Sequence, residues 1–129
     1  MEGFGGPLKN LGRVKYGRVL KFPGGAEMIV VTVKVDWGQE TIQETLPELR
    51  KHVDITLREP GCDDFLFAID VNNPDLVVAT EVYKDYPAHE DHFKTAQWEH
   101  FSALMDKYPP RSIDVKTYDA SETKHALDD

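Results

Sequence analysis

Residues 76–110 constrain the chain most tightly, because they join a strand, a turn and a helix without a break. Leu76-Val77-Val78-Ala79-Thr80-Glu81-Val82-Tyr83 is apolar and rich in β-branched residues, which predicts a strand. Asp85-Tyr86-Pro87 interrupts it. Asp85 or Tyr86 suits a helix N-cap boundary, and Pro87 suits a first helical turn, where a missing N–H costs no hydrogen bond. From Ala88 onward, Phe93, Ala96, His100, Phe101, Leu104 and Tyr108 recur at three- and four-residue steps, so the spacing predicts one helix. Pro109-Pro110 ends it.

The rest of the chain builds on that unit. Met28 to Val35 reads as a first strand, and Phe65 to Val71 as a second. Asn72-Asn73-Pro74-Asp75 has the composition of a hairpin turn. Ile113 to Tyr118 reads as the last strand. Ile42, Leu46, Leu49, Val53 and Leu57 fall at helical spacing over residues 40–58. Pro47 either kinks this helix or marks a start near Thr45. The resulting order, β-α-β-β-α-β, predicts an α+β, ferredoxin-like layer with two helices on one face of an antiparallel sheet. The other sheet face then needs a partner.

Length and composition set the limits. A chain of 129 residues makes one domain, with 40% hydrophobic and 29% charged residues, as in ordinary globular proteins. No apolar run approaches the roughly 20 residues of a membrane span. The start, MEGFGGP, lacks a secretory pattern, and the lone Cys62 rules out an intrachain disulfide. Both point to the cytoplasm. The net charge of −8 is uneven: residues 1–26 hold five basic side chains and Glu2, a balance of +4, so the remainder carries −12. That acidic body disfavours nucleic acid and anionic membranes as partners. The basic segment either docks on the body or stands solvated. Val14, Tyr16, Leu20 and Phe22 alternate with basic residues, which suggests an extra edge strand there. The domain plan is a basic extension over 1–26, a core domain over 27–120 and a polar tail over 121–129.

A family resemblance adds to this. The run Glu81-x-Tyr83-x-Asp85-x-x-Ala88-His89-x-x-His92-x-x-Thr95-x-x-Trp98-x-x-Phe101 resembles the signature of the antibiotic biosynthesis monooxygenase (ABM) family. Arg58-Glu59-Pro60-Gly61-Cys62 resembles the turn that joins helix to strand in the same family. The resemblance implies a dimeric α+β barrel, two subunits packed sheet to sheet. It also implies a monooxygenase without a cofactor that acts on a small aromatic substrate, a quinol or polyphenol. A haem-degrading subgroup of this fold uses an Asn on the first strand and a His on the second helix. Here that strand has no Asn and Ser102 falls near the His position, which argues against haem. No Gly-rich phosphate loop, dinucleotide fingerprint, CxxC or Ser-centred elbow is present.

Several residues in this frame invite chemistry, and each has a plainer reading. His92 matches the family histidine and is the candidate proton acceptor; a structural hydrogen bond to Glu81 or Tyr83 is the alternative. Glu81 is a base, a binder of a substrate hydroxyl, or half of a buried pair with His92. Tyr83 and Tyr86 are hydrogen-bond donors to a phenolate oxygen, or plain strand-end and turn aromatics. Trp98 and Phe101 wall a pocket or simply fill the core. His89 joins the substrate-binding set. His89 and His92, with Glu81 or Asp85, have metal-ligand spacing, but Glu90 and Asp91 beside them predict an exposed polar helix face, so no metal is assigned. His52 and His100 are expected at the surface or its boundary, and Cys62 in a structural role. Two other functions fit the same scaffold: an isomerase or cyclase that moves protons without oxygen, and a non-catalytic binding or stress-response protein.

Overall fold

The computed structural model describes residues 28–122. The elements are β1 (Met28–Asp36), α1 (Gln39–Thr56), β2 (Cys62–Asp70), β3 (Asn73–Tyr83), α2 (Tyr86–His92), α3 (Ala96–Lys107) and β4 (Ser112–Ala120). The strands form one antiparallel sheet in the order β2-β3-β1-β4. This is the ferredoxin-like α+β fold, with the second helix divided in two. The suggested strand within Arg13–Phe22, the rest of the basic extension and the tail beyond Glu122 lie outside the described residues.

The division has a local cause. Asp85 caps α2 by accepting from the Ala88 N–H at 2.8 Å. Thr95 caps α3 in the same way, its Oγ1 accepting from the Trp98 N–H at 3.0 Å. A continuous helical period therefore hides a restart at Thr95. Pro47, by contrast, neither starts nor ends α1, which runs from Gln39 to Thr56 with Pro47 on an exposed turn.

Strand alternation sends Ile29, Val31 and Val35 of β1, Val77, Ala79 and Tyr83 of β3, and Phe65 of β2 to the helix side, where they are buried. The opposite face, with Val30, Val78, Val82, Leu66 and Tyr118, carries no helix among the described residues. Leu66 and Tyr118 are 41% and 48% exposed there.

The first helix is rotated from its expected face. Its buried stripe is Ile42, Thr45, Leu49, His52 and Thr56. Leu46 and Val53 are only half-buried, and Leu57 is 43% exposed. Three polar residues face inward, and two of them are partnered, while Thr56 Oγ1 has no hydrogen-bond partner among the described residues. Thr45 Oγ1 donates to its own helix, to Thr41 O at 2.8 Å, and His52 finds partners on α3. Leu46 and Val53 instead border an open groove of about 410 Å³ against the edge strand β2, with Phe67 and Ile69 opposite.

Candidate functional site

The turn after α1 and the start of α2 are packed so closely that only glycine fits. A Cβ on Gly61 would sit 2.2 Å from the Ala88 Cβ. The Lys84 N–H donates to Gly61 O at 2.9 Å and locks the turn to the end of β3. This approach carries Glu59 to His92. The Glu59 carboxylate lies 3.0 and 3.1 Å from His92 Nδ1. The carboxylate accepts from the Nδ1–H of that ring, which leaves the Nε2 of the neutral ring as an acceptor. Glu59 also lines a polar surface depression with Lys84 and Asp91, so the pair joins a buried imidazole to the solvent side.

His92 is 1% exposed, and so is His89. The exposed face predicted from Glu90 and Asp91 is therefore wrong. Those acids do turn outward, but the helix presents both imidazoles to Tyr83 on β3. The His89 ring stacks on Tyr83 at 4.7 Å, and His92 lies 5.5 Å from it. His92 also meets Trp98 at 5.4 Å. Its carboxylate partner is Glu59, not Glu81. Sequence reasoning missed Glu59 as a functional candidate although it stands in the Arg58–Cys62 turn; an acid beside Pro60-Gly61 was the available signal.

Glu81 occupies the middle of the sheet on the helix side, opposite Val31 and Phe65. Tyr83 Oη donates to Glu81 Oε1 at 2.7 Å. Burial raises the Glu81 carboxyl above the usual carboxylate range, against the opposing pull of His92 and the Tyr83 hydrogen bond. Burial, and then the Glu81 charge, raise the Tyr83 phenol. Cys62 is pushed up to about 11, by burial first and then by Glu59 and Glu81, so its thiol is poorly nucleophilic at neutral pH.

His52, placed at the surface or boundary by its sequence context, is 1% exposed. Gln97 explains why. The Gln97 Nε2 amide lies 3.0 Å from His52 Nδ1 and donates to it. The ring stacks on Phe101 at 4.1 Å and stands 5.9 Å from the His92 ring. Burial, then the charges of His92 and His100, hold His52 down to about 3. Burial, then His92, hold His89 down to about 3. Both rings are neutral near pH 7. His100 is exposed and faces Glu48 at 3.1 Å.

These groups meet at a narrow cavity of about 60 Å³ between helices and sheet. Its polar lining is His52, Glu81, His89 and His92; Trp98 and Phe101 are among its apolar walls. Tyr83 stands behind Glu81, and Tyr86 packs instead beside Ile29 and Tyr83, away from the lining. Among the described residues no cluster of three or more His, Cys, Asp or Glu side chains is arranged to hold a metal ion. No described helix is long and apolar enough to cross a membrane.

The fold and this cavity define a ferredoxin-like α+β protein with an imidazole-lined interior. The chain belongs to the antibiotic biosynthesis monooxygenase family, whose pattern it matches over residues 28–104. Solved structures agree on the fold. A proposed antibiotic biosynthesis monooxygenase from Nitrosomonas europaea is 20% identical, with a TM-score of 0.69 over 78% of this chain and 95% of that one. A second such protein, from Deinococcus radiodurans, is 16% identical, with a TM-score of 0.70 over 78% and 99%. A conserved protein from Methanosarcina mazei Go1 is 21% identical, with a TM-score of 0.68 over 74% and 95%. No curated protein matches the sequence.

Proposed function

We propose that this protein is a cofactor-independent monooxygenase that acts on a quinol or polyphenolic aromatic, as a dimer packed through the open sheet face. The observation that carries the reading is the His92–Glu59 pair, whose buried imidazole lines a largely apolar cavity. Dioxygen reacts slowly with closed-shell molecules, but an electron-rich phenolate passes it an electron. The protein's task is to take the phenolic proton, hold the anion and keep water away. His92 Nε2 accepts that proton, and Glu59 stabilises the imidazolium that forms. Glu81, with Tyr83 behind it, and His89 supply further polar contacts, while Trp98 and Phe101 hold the ring. Tyr86 is not among the lining residues and is left out of the substrate set. The anion's ring carbon bonds to dioxygen, giving a hydroperoxide that loses water to form a quinone carbonyl. One oxygen atom enters the product and the other leaves as water.

The present volume admits the hydroxyl-bearing edge of a ring, well below the roughly 300 Å³ of common ligand pockets. A two-ring quinol enters only if lining side chains move. The small volume also supports a second reading, a protein that binds a small aromatic without turning it over. Oxygen uptake with 1,4-naphthohydroquinone under labelled dioxygen separates them. The oxygenase reading expects uptake above autoxidation, labelled 2-hydroxy-1,4-naphthoquinone, and loss of both in His92→Ala. Uptake equal to the protein-free rate, or unchanged in His92→Ala, sinks it. Label-free isomerised product formed without oxygen would mark an isomerase instead.

A further inference from the structure

The cavity contains a third imidazole, that of His52, which the oxygenase reading does not use. His52 and His92 present their rings from different helices, α1 and α2, with centroids 5.9 Å apart. Each has its Nδ1 engaged by a group of fixed polarity. Gln97 donates to His52 Nδ1, so that nitrogen is an acceptor and the proton of the neutral ring sits on Nε2. Glu59 accepts from His92 Nδ1, so the opposite tautomer holds there and Nε2 is the acceptor. Both rings line the same space, and the side-chain hydrogen bonds of each to described residues run through Nδ1. The two side chains thus offer one donor and one acceptor to whatever enters.

We propose that His52 and His92 form a hydroxyl-recognition site, in which one ligand O–H donates to His92 Nε2 and its oxygen accepts from His52 Nε2–H. A hydroxyl is the smallest group that satisfies both nitrogens at once. An ether or ketone oxygen leaves His92 without a donor, and a pyrrole-type N–H leaves His52 without an acceptor. The apolar walls, with Phe101 stacked on His52 at 4.1 Å, favour an aromatic carrier for that hydroxyl. This deepens the quinol reading and rests on it for biological meaning, but the binding chemistry stands apart from oxygen. Once the O–H proton passes to His92, the same His52 N–H faces the phenolate oxygen, so His52 stabilises the anion without giving up its own proton.

The test is binding in the absence of oxygen, with phenol, anisole and pyrrole as probes. Imidazole nitrogen shifts in NMR spectra should show His52 protonated on Nε2 and His92 on Nδ1, with both Nε2 signals moving on phenol addition. Phenol should bind about tenfold more tightly than pyrrole, the value of one well-made hydrogen bond. His52→Leu should lose that preference, phenol weakening relative to pyrrole, and His52→Gln, which keeps an N–H donor, should retain it. Anisole should bind more weakly than phenol in both wild type and His52→Leu, because that comparison reads His92. The side-chain movement needed to admit a ring is common to the probes and cancels in the ratios. Equal affinity for phenol and pyrrole in wild type, equal loss of both in His52→Leu, or a proton on His52 Nδ1 would each overturn the proposal. Phenol selectivity without any oxygen uptake from quinols would leave it standing and defeat only the oxygenase reading.

Discussion

Lowering the pH should expose the cost of keeping two imidazoles neutral inside this protein. His52 and His89 are each 1% exposed, and burial is the first cause holding each down to about 3. In the unfolded chain a histidine takes up its proton near pH 6.5. Between those two values the unfolded state binds more protons than the folded state, so stability falls as pH falls. Above pH 6.5 neither state is protonated and the effect vanishes; below about 3 it reaches its limit. From pH 7 to pH 5 each ring should cost roughly 2 kcal/mol, and the two together roughly 4 kcal/mol. Glu81 works the other way. Its raised folded-state pKa favours folding at low pH, and that contribution is lost as pH rises through the folded value, so it offsets part of the acid loss. Urea unfolding at fixed protein concentration, at pH 7 and pH 5, measures the sum. His52→Gln isolates one ring, because Glu81 and His89 are common to both proteins. The variant should lose roughly 2 kcal/mol less than wild type over the same interval. Parallel pH profiles for wild type and variant would show that His52 is not the buried neutral ring described here.

Three further outcomes follow from particular contacts. Gly61→Ala forces a Cβ to within 2.2 Å of Ala88 and should destabilise the protein by about 1–3 kcal/mol in thermal or urea unfolding; an unchanged midpoint would refute that packing. Glu59→Gln removes the carboxylate that orients His92 and stabilises the imidazolium formed in the reaction, and should lower kcat for 1,4-naphthohydroquinone by about a hundredfold with little change in KM; a purely structural Glu59 would leave the turnover of the folded fraction unaltered. Leu66→Asp combined with Tyr118→Asp places charge on the open sheet face and should convert a dimer into a folded monomer by light scattering; a monomeric wild type, or a dimer that survives the pair, would contradict sheet-to-sheet assembly.

Much of the fold could be read from the chain because it rests on local chemistry. β-Branched alternation marked the four strands, and Asp85 before Tyr86-Pro87 marked the start of α2. The break at Thr95 was less visible. Phe93, Ala96 and Phe101 keep a helical period across it, and only the Thr95 hydroxyl, a good cap residue, betrayed the restart. The rotation of α1 was hidden for a different reason. Apolar periodicity points to Leu46 and Val53, whereas the buried stripe includes Thr45 and His52, whose placement depends on Gln97 and Phe101 from an element 45 residues away in sequence. The same holds for His92. Its partner Glu59 is 33 residues distant and arrives through the Gly61–Ala88 approach, which no local pattern encodes.

Those non-local contacts share one feature that bears on function. A leucine at position 52 or 92 would meet the packing needs of this core without the desolvation penalty of an imidazole. Instead three of the four polar groups at the cavity are held by a partner from elsewhere: His92 by Glu59 of the turn after α1, His52 by Gln97 of α3, Glu81 by Tyr83 further along β3. Each partner fixes which atom carries a proton, and it does so beside a space walled by Trp98 and Phe101. Packing alone has no use for a fixed tautomer. A ligand that must be told apart by where its own proton lies does, and that links the polar cost of this core to recognition of a hydroxyl in the cavity.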